Sequence, residues 1–317
     1  MVLTGASSGI GHATAIAFAR DGADLVLAAR GVPALEAVAA ACRAIGADVL
    51  VHPVDVTDAD AVKALAEAAI ARFGAIDVWA NLVGVGAVGR FEDVPMEVHR
   101  RVVETSLVGQ MNGAHAVLGH FRSRRRGTLI NMVSIGSFAP APYAASYAAT
   151  KFALRGFAES LRAELTALPD VRVCNVYPTF VDTPGLSHGA NYTGRRLKPP
   201  PPLVDPRTVA ARVVVALAHA PRATTMVGSI AWPARLAHAL APNLVGTVTA
   251  KLMEAALARA DPAPVTTGNL FEASRGTAID AGHRRRRAGP AGLGLLALGA
   301  AAWLWSKHGP MPFGPRQ

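Results

Sequence analysis

Cysteine is nearly missing from this 317-residue chain, which has only Cys42 and Cys174. One falls in an alanine-rich helical stretch and the other in a short apolar run, so we expect no disulfide framework and a reducing compartment. Metal-ligand spacing is missing as well. The ten histidines are scattered, neither His-Glu-x-x-His nor Cys-x-x-Cys occurs, and no metal site is expected. No charged leader with an apolar core precedes Met1-Val2-Leu3, which runs straight into a glycine turn, so a secretory signal is not expected either. Internal repeats are absent. Acidic residues are in deficit, 22 against 32 lysines and arginines. The excess sits in Arg122 to Arg126, Arg195 to Lys198 and Arg284 to Arg287. Without aromatic interleaving or a recognition helix these are local patches, and no nucleic-acid partner is expected.

Hydrophobic residues are abundant, at 51% with a mean hydropathy of +0.29, enough to build the core of one large α/β domain plus an appendage. Short apolar or β-branched runs alternate with alanine-rich helical stretches. Strands are expected at Met1–Leu3, Leu25–Ala28, Asp48–Pro53, Val78–Asn81, Gly127–Val133, Arg172–Tyr177 and Thr224–Val227. Helices are expected near Gly11–Asp21, Val32–Ile45, Asp58–Phe73, Pro95–Arg122, Tyr143–Ala167 and Asp205–His219. The reading is α/β, a doubly wound parallel seven-stranded sheet with helices on both faces, plus a helical carboxyl-terminal extension. The glycine- and proline-rich stretch Thr183–Leu203 follows the sixth strand and is expected to form a lid over the carboxyl ends of the strands. Trp232-Pro233 and Ala241-Pro242 are expected to break the extension, and Asp261–Gly282 to form a loop.

Chemistry enters at the strand ends. Between the first strand and first helix stands Thr4-Gly5-Ala6-Ser7-Ser8-Gly9-Ile10-Gly11. Glycines there let the backbone approach a pyrophosphate, and the helix N-terminus offers N–H donors to it. After the second strand comes Leu27-Ala28-Ala29-Arg30, with no acid for a ribose 2′-hydroxyl and an arginine suited to a 2′-phosphate. NADP is therefore favoured, with NAD as the alternative. Asp55-Val56 and Asn81 end the third and fourth strands, where they suit adenine or ribose contacts as well as turn and cap chemistry. Tyr147 and Lys151 lie one helical turn apart, with Ser134 upstream. A cation on the same face as a phenol lowers the phenol pKa and makes it an acid/base near neutral pH.

Taken together, Thr4 to Gly11, Asp55, Asn81 with Gly84, Ser134, Tyr147-x-x-x-Lys151, and Pro178 with Val181 and Thr183 resemble the short-chain dehydrogenase/reductase family in its single-domain, Rossmann-like form. The resemblance covers roughly residues 1–228. It implies a dinucleotide-binding and catalytic domain over 1–228, followed by a helical and loop extension over 229–282 and a basic run with an apolar tail over 283–317. It also implies that Tyr147 exchanges a proton with the substrate oxygen, Ser134 bonds that oxygen, Lys151 holds the nicotinamide ribose, and Pro178 to Thr183 meet the nicotinamide carboxamide. The chain departs from the family pattern at three places. Ser106 stands where a relay asparagine is usual and joins the catalytic candidates, Leu82-Val83 precede Gly84, and Thr179 replaces a glycine. Leu82-Val83 and Thr179 are expected to narrow the cofactor pocket.

The expected function is an NADP-dependent oxidoreductase acting on a small hydrophobic molecule, in a pocket near Phe138, Pro140, Tyr143, Leu186 and Tyr192. The rival reading is a catalytically weak nucleotide-binding regulatory or scaffold protein on the same fold. A homo-oligomer is among the expected assemblies, the long helix after Ser134 offering a subunit interface. Residues 291–305, between a basic run and Trp303/Trp305, suit a membrane-interface anchor that leaves the catalytic domain cytoplasmic. A docked helix and an unstructured end are the alternatives.

Overall fold

The computed structural model describes residues 1–274 and 276–285. The apolar stretch 291–305 lies outside the described residues. Among those described, no helix is long and apolar enough to cross a membrane.

Seven parallel strands form one sheet in the spatial order β3-β2-β1-β4-β5-β6-β7: β1 (Val2–Thr4), β2 (Leu25–Ala29), β3 (Val49–Pro53), β4 (Val78–Asn81), β5 (Gly127–Met132), β6 (Val171–Pro178) and β7 (Thr224–Val227). The order reverses between β1 and β4. That reversal opens a crevice at the strand carboxyl ends, where the glycine turn and Asn81 both sit. The central strands are nearly all buried, as continuous apolar runs demand when helices cover both faces.

One face is closed by α1 (Gly9–Arg20) and α2 (Val32–Arg43), whose Ala15, Phe18, Leu35 and Val38 pack with Leu3, Leu25 and Leu27. The other is closed by α3 (Ala59–Phe73), α5 (Gly109–Arg124) and α6 (Ala145–Glu164), which pack through Leu65, Val117, Phe121 and Ala158 against Val26, Trp79 and Leu129. Local sequence sets the helix ends. Asp58 accepts from Ala61 N–H at 3.0 Å to start α3, and Gly74, at φ 77°, terminates it.

Three expectations need correction. The single helix foreseen over Pro95–Arg122 is two, α4 (Met96–Val103) and α5, joined by a π-helical stretch Glu104–Val108 that turns Ser106 fully inward. Asp205–His219 is likewise divided, into Pro206–Val209, a π-helical Ala210–Val215 and Ala216–His219. Pro233 does not break the extension. It lies in the first turn of α7 (Ala231–Leu240), where a missing N–H costs nothing, while Ala241-Pro242 does divide α7 from α8 (Pro242–Ala258).

The lid stretch is tied on both sides. Ala190–Asn191 pairs with Ala87–Val88 in a two-stranded parallel ribbon, and Asn191 also bridges to Thr266. The loop expected over Asp261–Gly282 is irregular, but it is fastened to the domain rather than free.

Candidate active site

The glycine turn shows why side chains are excluded there. A Cβ on Gly11 would fall 1.9 Å from Gly5 O, so only glycine lets α1 begin this close to β1. A Cβ on Gly5 would lie 3.0 Å from Val83 N, and one on Gly9 3.4 Å from Thr183. The fold thus brings three separate pieces of sequence, Gly5–Gly11, Leu82–Gly84 and Pro178–Thr183, to one place. Ser7, Ser8 and Ile10 are partly exposed along the turn, and Val181 is half-buried on the first core.

Tyr147, Lys151 and Leu154 recur along one face of α6 and point at the end of β5. Lys151 is 2% exposed, and its ammonium donates to Met132 O at 3.1 Å and stands over the Tyr147 ring, 5.5 Å from its centroid. A Cβ on Gly84 would lie 3.6 Å from Lys151 Nζ, and one on Gly86 3.4 Å from Tyr147 Cδ2. The loop after β4 therefore roofs both side chains. Ser134 Oγ accepts from Gly136 N–H at 3.1 Å and stands beside the Tyr147 ring, where a Cβ on Gly136 would lie 3.5 Å from Ser134 Oγ and 3.7 Å from Tyr147 Cε1.

The electrostatics differ from the sequence expectation. Burial pushes the Tyr147 phenol above its ordinary pKa, and the Ser134 hydroxyl pulls part of the way back. Burial lowers the Lys151 ammonium to about 8. The amine faces the ring rather than the phenolic oxygen, so the phenol holds its proton at neutral pH.

Five other expected residues are engaged elsewhere. Asn81 is buried and spends its side chain inside the sheet: Oδ1 accepts from Trp79 Nε1 at 2.8 Å, and Nδ2 donates to Gln110 O and Asn131 Oδ1, each at 3.0 Å. Asn131 then donates to Asn175 Oδ1 at 3.3 Å, and Asn175 to the Tyr177 hydroxyl at 2.9 Å. Ser106 Oγ donates to Val85 O at 3.0 Å and accepts from Val85 N–H at 3.1 Å, bracing the roof loop. Val56 is a core residue against the start of α5, where a Cβ on Gly109 would meet it at 2.5 Å. Thr179 does not narrow the crevice. It is received by Gly228, at φ +106°, where a Cβ would lie 2.1 Å from Thr179 Oγ1. Phe138, expected in a substrate pocket, is buried against Tyr177 with ring centroids 4.9 Å apart.

Asp55 accepts from Thr57 N–H at 3.0 Å, Thr57 Oγ1 at 2.8 Å and the Arg101 guanidinium. Burial pushes its carboxyl up, but those bonds and the Arg101 charge outweigh burial and hold it below the usual range. Arg30 donates to the backbone carbonyls of Asn269, Leu270 and Glu272, and Arg101 joins it on Leu270 O at 3.1 Å. Arg101, Asp182, His12 and Leu270 are residues the sequence reading missed. Asp182 lay within a stretch already singled out, but nothing local marked the other three.

The short chain dehydrogenase family model matches residues 1–190. Among curated sequences, the uncharacterized oxidoreductase YxnA of Bacillus subtilis (strain 168) is 33% identical over 255 residues, 80% of this chain and 72% of that protein. Dehydrogenase/reductase SDR family member 7 of Homo sapiens is 36% identical over 180 residues, 56% of this chain and 53% of its own. The match therefore spans about half of that relative. Among solved structures, an alcohol dehydrogenase from the archaeon Thermococcus sibiricus complexed with 5-hydroxy-NADP is 31% identical, with a TM-score of 0.63 covering 73% of this chain and 96% of that one. Levodione reductase is 28% identical with a TM-score of 0.64, covering 71% and 93%.

Proposed function

The chain belongs to the short chain dehydrogenase family, and from that premise we propose that it is an NADP-dependent oxidoreductase interconverting an alcohol and a carbonyl on a hydrophobic small molecule. The observation that carries this reading is Tyr147 standing beside Ser134 and the buried Lys151, under the roof loop and next to the glycine turn. The turn fits a dinucleotide, because its glycines let α1 begin tight against β1 and bring the first N–H groups of that helix to the crevice. Gly5, Ser7, Ser8, Gly9, Ile10 and Gly11 would hold the pyrophosphate, Arg30 the 2′-phosphate, and Asp55 with the backbone N–H of Val56 the adenosine end. Pro178, Val181 and Thr183 would meet the nicotinamide, and Tyr147 and Lys151 its ribose. Asn81 would act through its backbone, since its side chain is taken. The bound cofactor supplies or accepts the hydride.

The chain's own residues manage the proton. A phenol that keeps its proton at neutral pH is an acid, so Tyr147 donates to an oxygen gaining negative charge, which favours carbonyl reduction. Ser134 shares that oxygen and holds it against the phenol. Lys151, still mostly charged at pH 7, stabilises the phenolate left behind.

NADPH oxidation against a panel of ketones and aldehydes tests this. Tyr147→Phe should lower turnover by about 10²- to 10⁴-fold while leaving NADPH affinity within about twofold. Undiminished rates in that variant would reject the assignment, and a wild-type protein that binds NADPH but reduces nothing would move the reading to a scaffold.

A further inference from the structure

In the groove assigned above to the dinucleotide, the chain's own carboxyl-terminal strap engages Arg30, His12 and Gly9. The strap starts where Gly268, at φ +55°, passes under the lid; a Cβ there would lie 2.3 Å from His188 O, so no other residue fits. Asn269 N–H donates to His188 O at 2.8 Å. Leu270 then inserts, 0% exposed, among Val85, Ala87, Val94, Val98, Val102 and Ala190. Its carbonyl, with those of Asn269 and Glu272, receives Arg30. Further on, Thr277 O accepts from His12 Nδ1 at 2.6 Å, which requires the ring proton on that nitrogen, and Ala278 O accepts from Gly9 N–H at 2.9 Å. At the far end Asp182 closes a clasp, its carboxylate accepting from His283 N–H at 3.2 Å and Arg284 N–H at 3.1 Å. Arg284 also pairs with Asp205 at 2.6 Å, and Arg207 with Asp280 at 2.7 Å.

These contacts share one chemistry. A guanidinium and a helix-start N–H, the donors best suited to phosphate oxygens, are each given carbonyl oxygens of the chain. A carbonyl and a phosphate oxygen cannot use the same donor with the same geometry at once. We propose that this strap is autoinhibitory: held by the Leu270 anchor, its releasable part, residues 276–284, competes with the dinucleotide for the Gly9 N–H and must lift before the cofactor seats. The inference rests on the dinucleotide reading above. The measured affinity of the full chain is then the intrinsic affinity reduced by the fraction of molecules with the strap lifted.

Two measurements decide it. NADPH binding is titrated by fluorescence on the full chain and on a chain ending at Ser274, which keeps the Leu270 anchor. The shortened chain should bind about tenfold more tightly. Equal or weaker binding there would overturn the strap, the weaker case meaning that the segment covers the cofactor instead of opposing it. Because loss of the Asp182 clasp can cost folding, hydrogen–deuterium exchange on the intact chain provides the second measurement. Saturating NADPH should speed exchange in peptides covering Ala281, His283 and Arg284 by at least about tenfold, whereas unchanged or slower exchange there would overturn the proposal. If neither chain binds NADPH or NADH, the dinucleotide reading itself falls and takes the strap with it. If both bind equally and exchange is unmoved, only the strap is lost.

Discussion

The two ends of the crevice are built on opposite terms. At one end Tyr147 and Lys151 are buried, preset by α6 and β5, and held at an electrostatic cost that burial imposes on both of their pKa values. At the other, Arg30 and Gly9 N–H are engaged by carbonyls from the strap, and Asp55 by Arg101 and Thr57. The reacting groups are ready and costly, while the groups that would recruit a ligand are comfortable and engaged. Stability and reactivity are therefore expected to trade at the first end and not at the second.

Lys151→Met probes the costly end. Turnover should fall by about 10²- to 10³-fold, yet thermal stability at pH 7 should rise. A shift from 10.5 to about 8 disfavours the charged amine in the folded state, by about 3 kcal/mol. The sign follows from proton binding. Between pH 8 and 10.5 the unfolded chain binds more protons, so native stability climbs with pH across that window, and below it the full penalty applies. A lower melting temperature in this variant would mean that the lysine is a structural prop, and the contrast between the two ends would fail.

Arg30→Ala probes the engaged end. It should weaken NADPH about tenfold relative to NADH, with little change in folding, because backbone carbonyls freed at an exposed edge find water. Equal changes for the two cofactors in paired titrations would remove the 2′-phosphate argument. The pH profile then sharpens the comparison. Reduction rates should decline as pH rises through about 8, where Lys151 loses its charge, and Lys151→Arg should carry that limb upward. A limb that stays in place would assign it to another group. Smallest in its effect on rate is Ser106→Ala. It strands the Val85 N–H and carbonyl, costing about 1–3 kcal/mol in denaturant unfolding, with turnover changed by less than about fivefold. A rate loss that outruns the stability loss would return Ser106 to proton relay.

Which features could be read from sequence follows from how far apart their parts lie along the chain. The strands, the glycine turn and the Tyr147–Lys151 face are local patterns, and the structure places them within a residue or two of expectation. The side-chain partners of Asn81 are not legible locally because Asn131 and Asn175 are set by register: Asn81 faces Asn131, and Asn131 faces Asn175. Thr179 looked obstructive because Gly228, which receives it, lies on another loop. The acceptors of Arg30 stand some 240 positions away in a stretch with no periodicity, so no spacing rule could reach them. The π-helical turn that points Ser106 inward comes from one extra residue per turn, which leaves no compositional mark.

The chain of amides from Trp79 through Asn81, Asn131 and Asn175 to Tyr177 bears on how the protein assembles. Sliding any one of β4, β5 or β6 by one position would turn its asparagine to the opposite face and orphan the neighbours' donors in the buried interior. Misaligned intermediates are thereby penalised at three strands together, so these strands should consolidate as a single late step and mispaired sheets should be short-lived.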